Sequence, residues 1–288
     1  MTADPAAGYR LVDVGGAARL EWFGARLVDR PSPAALGPRS DPERWLAADL
    51  RFDRETGWSG PAVAAGPWPI AIDDLTLELR ATETGQVGLF PEHVTMLPWL
   101  RERVAQRAAA GRADGRLPPS VLHLFAYTGL ATLASAAAGA AVAHVDASRP
   151  AVAWARQNAD RSALADRPVR WIVDDAVAFS EREIRREKRY AGVVLDPPSF
   201  GHGPGGRDWR IEGDLRTLLA AVAGLLEPDG FVLLTAHTPG FDGERLAGLV
   251  RDALRRRSAA IEAGDLALTS QDGQRLELGA FARTSGGS

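Results

Sequence analysis

The chain has 288 residues, enough for one large domain or two modest ones with a real core. Hydrophobic residues make up 45% and charged residues 25%, an ordinary globular balance, and a formal net charge of −3 excludes a global positive field that would gather nucleic acid. Cysteine is absent, which excludes disulfides, thiolate metal sites, iron–sulfur clusters and any cysteine nucleophile.

The opening MTADPAAGYR has neither a basic stretch nor an apolar core, so no secretory signal is expected there. No long uncharged apolar run is present, and LASAAAGAAVAHV is short and alanine-rich. A cytoplasmic protein with no membrane partner is the expectation. Lys188 is the only lysine, and the dominance of arginine reads first as genomic base-composition bias. Monomer and dimer are equally compatible with the sequence.

The first third reads as β-rich. YRLVDV, ARLEWFGARLVDRP, LAADLRF and IAIDDLTLELRAT are short segments of mixed apolar and polar residues, separated by Gly15-Gly16, Pro31, Pro33, Pro42 and Pro67. Trp22, Trp45, Trp58 and Trp68 cluster here and are expected to build a small hydrophobic core. The predicted boundaries are a β-rich domain over 1–89 and a second domain over 90–288, whose first part, 90–118, is a helical junction with Pro91 at the entry. After the turn-rich RADGRLPPS the rhythm changes. Strands VLHLF, AVAHVD, VRWIV, YAGVVLD and GFVLLTAH alternate with helices LATLASAAAG, RPAVAWARQNA, AVAFSEREIRREKR, LRTLLAAVAGLL and DGERLAGLVRDALRRR. That alternation predicts an α/β fold with a mostly parallel, doubly wound sheet. DLALTS and QRLELGAFART around QDG read as a terminal β pair, and TSGGS as a disordered tail.

In such sheets, ligands bind at the carboxyl ends of the strands. The first strand runs into FAYTGL, where a turn lets a ligand approach backbone N–H groups at a helix N-terminus, without the G-x-G-x-x-G of a dinucleotide site. The second ends at Asp146, in the region where an acid accepts from ribose hydroxyls; Ser148 is available to cap the next helix and leave Asp146 free. The third ends in VDDAVAF. One of Asp174 and Asp175 is expected to cap the helix and the other to accept from an adenine amino group, with Asp175 the adenine candidate and Ala176 and Phe179 flanking the ring. A methionine loop, a ribose acid and an adenine acid in consecutive units form the layout expected for S-adenosylmethionine.

The fourth strand ends in LDPPSFGHGPGG. Two prolines fix φ twice and remove two backbone donors, so the Asp196 and Pro197 carbonyls are expected to stand open as acceptors. An amine or purine edge can donate to Asp196 and a carbonyl there, which holds the nitrogen lone pair towards an electrophilic methyl group. Phe200 is placed to stack on the base, and Gly201, Gly203, Gly205 and Gly206 give a loop free to close. The plain alternative is a proline-stiffened strand exit without chemistry. His202 and His237 are the candidates for taking a released proton.

Read in order, LFAYTG, VDAS, WARQNA, DDAVAF and LDPPSFGHGPGG resemble class I S-adenosylmethionine-dependent methyltransferases, within the group related to bacterial large-subunit ribosomal RNA methyltransferases. RLEWFGARLVDRP and GQVGLFPEH resemble the N-terminal β-rich module and junction segment of that group, so the likeness covers most of the chain. It implies a Rossmann-like sheet with an antiparallel final strand pair behind a small N-terminal β-rich domain, and S-adenosylmethionine as cofactor with no metal. It implies donor contacts from Phe125, Ala126, Tyr127, Thr128 and Gly129, from Asp146, Ala147 and Ser148, from Asn158, and from Asp175 and Ala176. Phe90 and Glu92 of the junction become donor-site candidates, Glu92 for the methionine ammonium. Acceptor chemistry falls to Asp196, Pro197, Pro198 and Phe200. The substrate implied is a base nitrogen of RNA, ribosomal RNA in particular, since carbon-5 methylation of cytosine needs a covalent cysteine adduct. A small-molecule or protein side-chain N-methyltransferase and a non-catalytic binding module are the alternatives.

Overall fold

Alternation of apolar and polar residues before position 80 resolves into a small mixed sheet, antiparallel except where β3 pairs with β4, and an antiparallel hairpin. The computed structural model describes residues 8–113, 115, 117–202, 208–255 and 260–285. β1 (Tyr9–Gly15), β2 (Ala18–Phe23), β3 (Arg26–Pro31), β4 (Leu50–Asp53) and β5 (Gly57–Ser59) form one sheet in chain order, with the short helix α1 (Pro42–Leu46) before β4. β6 (Trp68–Ile72) and β7 (Leu75–Leu79) form a separate hairpin. The β1–β2 turn needs left-handed backbone, at φ 61° for Gly16 and 56° for Ala17, which glycine supplies cheaply.

The tryptophans do not share one core. Trp45 and Trp22 pack with Val12, Leu20 and Leu27, Trp58 packs at a tilt against Phe52, and the Trp68 indole donates to the Phe23 carbonyl. Asp13 is buried beneath α1 and is satisfied there: it accepts from Val14, Ser40 and Asp41 N–H groups and from Trp45 Nε1.

The predicted, mostly parallel sheet follows. α2 (Leu97–Ala113) leads into β8 (Ser120–Leu124), α3 (Leu130–Ala137), β9 (Ala141–Asp146), α4 (Arg149–Arg161), β10 (Val169–Val173), α5 (Ala176–Arg185) and β11 (Tyr190–Leu195). Then come β12 (Phe200–His202), β13 (Asp208–Arg210), α6 (Ile211–Leu225), β14 (Leu226–Ala236), α7 (Gly243–Ala253), β15 (Ala260–Thr269) and β16 (Arg275–Ser285). The strand order is β10-β9-β8-β11-β14-β16-β15, and β16 runs antiparallel to β14. Strand order therefore reverses between β8 and β11, where a ligand crevice is expected. Strands β8, β9 and β11 and the second half of β14 (231–236) are mostly buried apolar runs, as expected of a sheet covered on both faces. Gly192, central in β11, admits the Phe231 ring, which a Cβ would meet at 2.1 Å.

The chain divides into two compact units, 1–94 with 267–278, and 95–266 with 279–288. The first boundary falls five residues beyond the expected 89/90. The tip of the terminal hairpin belongs to the first unit, because Leu268 and Leu276 pack with Leu11, Val14 and Ala35. Phe90 and Glu92 also lie in that unit, Glu92 buried in a 3-10 turn over Pro91–Met96. The second unit carries all the other predicted site residues. Among the described residues, no helix is long and apolar enough to cross a membrane.

Candidate active site at the strand tips

The first loop, Phe125 to Gly129, turns sharply between β8 and α3. Phe125 and Tyr127 have φ of 53° and 47°, and Gly129 has φ of 93°. Left-handed backbone at two aromatic residues carries strain of the kind found where backbone is shaped for a ligand. Gly129 also lies close to α4, where a Cβ would meet that of Ala155 at 3.1 Å.

Asp146 is the hub of the neighbouring loops. Oδ2 accepts from Tyr127 N at 2.8 Å and Oδ1 accepts from Ser148 N at 2.8 Å. Its carbonyl accepts from Asp174 N at 3.0 Å. One residue thus fixes the exits of β8, β9 and β10 together. The expectation that Ser148 caps α4 holds, since its hydroxyl accepts from Ala151 N at 3.3 Å, but Asp146 is not thereby left free. Each carboxylate oxygen has two lone pairs and keeps capacity for a hydroxyl donor. Burial pushes the Asp146 carboxyl above its ordinary value, against the opposing pull of the Ser148 and Tyr127 N–H groups.

Asn158 lies behind the first loop. It is fully buried in α4, and Nδ2 donates to the Thr128 carbonyl at 3.0 Å, bracing the loop from behind. Asp175 is the cap of α5, accepting from Ala178 N at 2.8 Å through Oδ1. Asp174 accepts from Asp175 N and pairs with Arg182. Ala176 and Phe179 do not flank an open ring site. They are 4% and 3% exposed, because the Asp175 cap turns both into the core against Ala143, Val145 and Val177. Ala147 and Ser148 are exposed at the tip of β9.

The corner after β11 is held from two sides. Thr235 at the end of β14 donates to Asp196 Oδ1 at 2.7 Å, and the Ser199 and Thr238 hydroxyls bond at 2.7 Å. Trp209 Nε1 donates to the Pro198 carbonyl at 2.7 Å, and Ile211 N donates to the Ser199 carbonyl. Among the described residues none donates to the Pro197 carbonyl. Trp209 also packs on Phe125 with ring centroids 5.0 Å apart, which couples the corner to the first loop. Phe200 is 41% exposed, and the Arg210 guanidinium lies 5.0 Å over its ring, so one face is covered by a cation. The short β12–β13 pair was not expected; Phe200 faces Arg210 in its register. Gly203, Gly205, Gly206, the His202 side chain and the last three residues of the TSGGS tail fall outside the described residues.

Sequence reasoning missed Trp209, Thr235 and Thr238, and it missed a buried chain beneath the first loop. His123 and His144 are paired across β8 and β9, and Thr132 Oγ1 lies 2.7 Å from His123 Nδ1 and 2.9 Å from His144 Nδ1. One hydroxyl proton serves only one of them, so at least one ring carries a proton on Nδ1 and donates it to Thr132 Oγ1. Burial drops the His144 imidazole to about 3.

A sharp strained loop at a helix N-terminus, an acid at the next strand tip and a rigid acid corner across the switch point suit a charged nucleoside ligand. The donor set is backbone and carboxylate, which matches the hydroxyls and amines of S-adenosylmethionine. Residues 44–256 match the family described as S-adenosylmethionine-dependent methyltransferase, and the chain belongs to that family. Among solved structures, a SAM-dependent methyltransferase from Agrobacterium tumefaciens has a TM-score of 0.89 and 33% identity, covering 98% of this chain and 92% of that one. A ribosomal RNA large subunit methyltransferase K/L from Magnetococcus marinus is 30% identical over 179 residues, 61% of this chain and 23% of that protein. The protein of the same name from Methylococcus capsulatus is 35% identical over 141 residues, 47% of this chain and 19% of that protein. The chain spans about a quarter or less of the length of these curated relatives. S-adenosylmethionine is the cofactor, and the chain is a methyltransferase.

Proposed function

We propose that the chain methylates a base nitrogen of RNA, ribosomal RNA in particular. S-adenosylmethionine supplies an electrophilic methyl group, so the protein's task is to hold an acceptor in line and dry. The Asp196–Pro197–Pro198 corner carries the reading. Thr235 fixes the carboxylate of Asp196, the Pro197 carbonyl offers a second acceptor, and the Phe200 ring is exposed beside them. Two acceptors of fixed direction take the N–H bonds of an amine and orient its lone pair. Orientation of this kind is worth about 7 kcal/mol or more in favourable cases. The covalent route to cytosine carbon-5 is closed, as the chain has no cysteine. The names of the curated relatives support RNA as the substrate.

Mass analysis of ribosomal RNA nucleosides from cells with and without the protein tests this. One N-methylated nucleoside disappears with the protein and returns on complementation by the wild type but not by Asp196→Ala. An unchanged nucleoside profile contradicts the proposal.

A further inference from the structure

We propose that His237 is a catalytic residue that receives a proton from the acceptor, and that the acceptor is therefore an amino nitrogen bearing hydrogen. The inference rests on the reading of Asp196 as the acceptor corner. His237 follows β14, two residues past the Thr235 that anchors Asp196. Its Nε2 lies 3.5 Å from Asp196 Oδ1, a separation that suits an ion pair once the ring is cationic. The opposite side of the ring is occupied: a Cβ on Gly279 would lie 3.1 Å from His237 Nδ1 and 2.3 Å from the Ala236 carbonyl oxygen. Glycine at 279 lets β16 close against Nδ1, and Nε2 is the nitrogen turned to the corner. The side chain is 27% exposed, which gives an exit for a proton to solvent.

The chemistry follows from what an amine must lose. Its lone pair forms the new bond to the methyl carbon while the carbon–sulfur bond breaks with its electron pair to sulfur. The nitrogen becomes cationic, and its N–H proton passes to His237 Nε2. The imidazolium then faces the Asp196 carboxylate until the proton leaves to water. A ring nitrogen without hydrogen has no proton to give and needs no such group. Thr235 and Gly279 act through Asp196 and His237, as positioning residues.

The test compares wild type, His237→Ala and His237→Gln, with labelled S-adenosylmethionine and two acceptor arms: an unmodified large-subunit ribosomal RNA transcript, and a mixture of free adenosine, guanosine and cytidine. In the arm that accepts methyl groups, both variants lose about 100-fold in kcat, and free imidazole returns at least about tenfold of it to His237→Ala. Calorimetry with S-adenosylmethionine keeps Kd within about twofold, because the group acts after binding. The methylated product carries the label on an exocyclic amine. Full activity in either variant, loss without rescue by imidazole, loss matched by weaker donor binding, or a product methylated on a ring nitrogen overturns the inference. Transfer to nucleosides but not to the RNA transcript overturns the RNA reading alone, and His237 is then judged in the nucleoside arm. No transfer in either arm by wild type overturns both.

Discussion

Thr235 and Asp196 are neighbours across adjacent parallel strands. Leu195 pairs with Leu234 in the register of β11 and β14, and one residue further the Thr235 hydroxyl donates to Asp196 Oδ1 at 2.7 Å. The sheet's own register thus sets the direction of the acid proposed to hold the acceptor. Thr235→Val keeps shape and removes the donor. It is expected to lower kcat about tenfold with donor affinity unchanged, and to cost about 1 kcal/mol in urea denaturation. Thr235→Ser is expected to recover most of the rate.

Asp146 ties three loops, so its loss is expected to act on donor binding. Asp146→Ala removes acceptors for Tyr127 N and Ser148 N together. Calorimetry is expected to show donor affinity weaker by about 100-fold, the scale of two charge-assisted bonds. The pH dependence has a definite sign. The folded-state value is raised above 3.8 by burial, so the ionised carboxylate is the penalised form. Its contribution to stability is fully present below the unfolded value and is lost as pH rises through the raised folded value. Donor affinity moves the other way, rising through the same window as the carboxylate ionises, and Asp146→Ala abolishes that dependence.

The buried histidine chain has the opposite sign. Burial holds His144 neutral, with its value at about 3, well below the 6.5 of an exposed imidazole. Its contribution is present above the unfolded value and is lost as pH falls from there towards the folded value, by about 1.4 kcal/mol per pH unit. Urea midpoints between neutral pH and pH 4 are expected to fall more steeply for wild type than for His144→Gln. Equal slopes would remove His144 from the acid limb.

Asn158 braces the first loop through the Thr128 carbonyl. Asn158→Ala leaves the Thr128 carbonyl without its Nδ2 donor. Donor affinity is expected to weaken about tenfold with kcat at saturating donor preserved. Gly129→Ala acts on the same loop, forcing a side chain into φ of 93° and against Ala155. Its cost is expected at about 1–3 kcal/mol, read as a lower Tm.

The sheet was legible because its strands are apolar runs punctuated by glycine, proline and acids, and some of its helices carry a start signal. Ser148 caps α4 as its position suggests, whereas Asp175, the adenine candidate, caps α5. Strand-tip acids were legible as a set, but their division of labour was not. Whether Asp174 or Asp175 caps depends on which backbone N–H each reaches, and sequence holds no record of that. Thr235, Thr238 and Trp209 left no local signal, since their partners at the corner lie 39, 39 and 11 residues away. His123 and His144 read as ordinary strand positions, and only the register of β8 with β9 makes them a pair. The grouping of 267–278 with the N-terminal unit rests on Leu268 and Leu276 meeting Leu11 and Val14, a long-range packing choice.

A crystal structure with S-adenosylhomocysteine bound tests the central claim most directly. The ribose hydroxyls are expected on Asp146, the methionine part along Phe125 to Gly129, and the sulfur facing the Asp196–Pro197–Pro198 corner. A thioether turned away from that corner, or a nucleoside lodged elsewhere on the unit, would contradict the account.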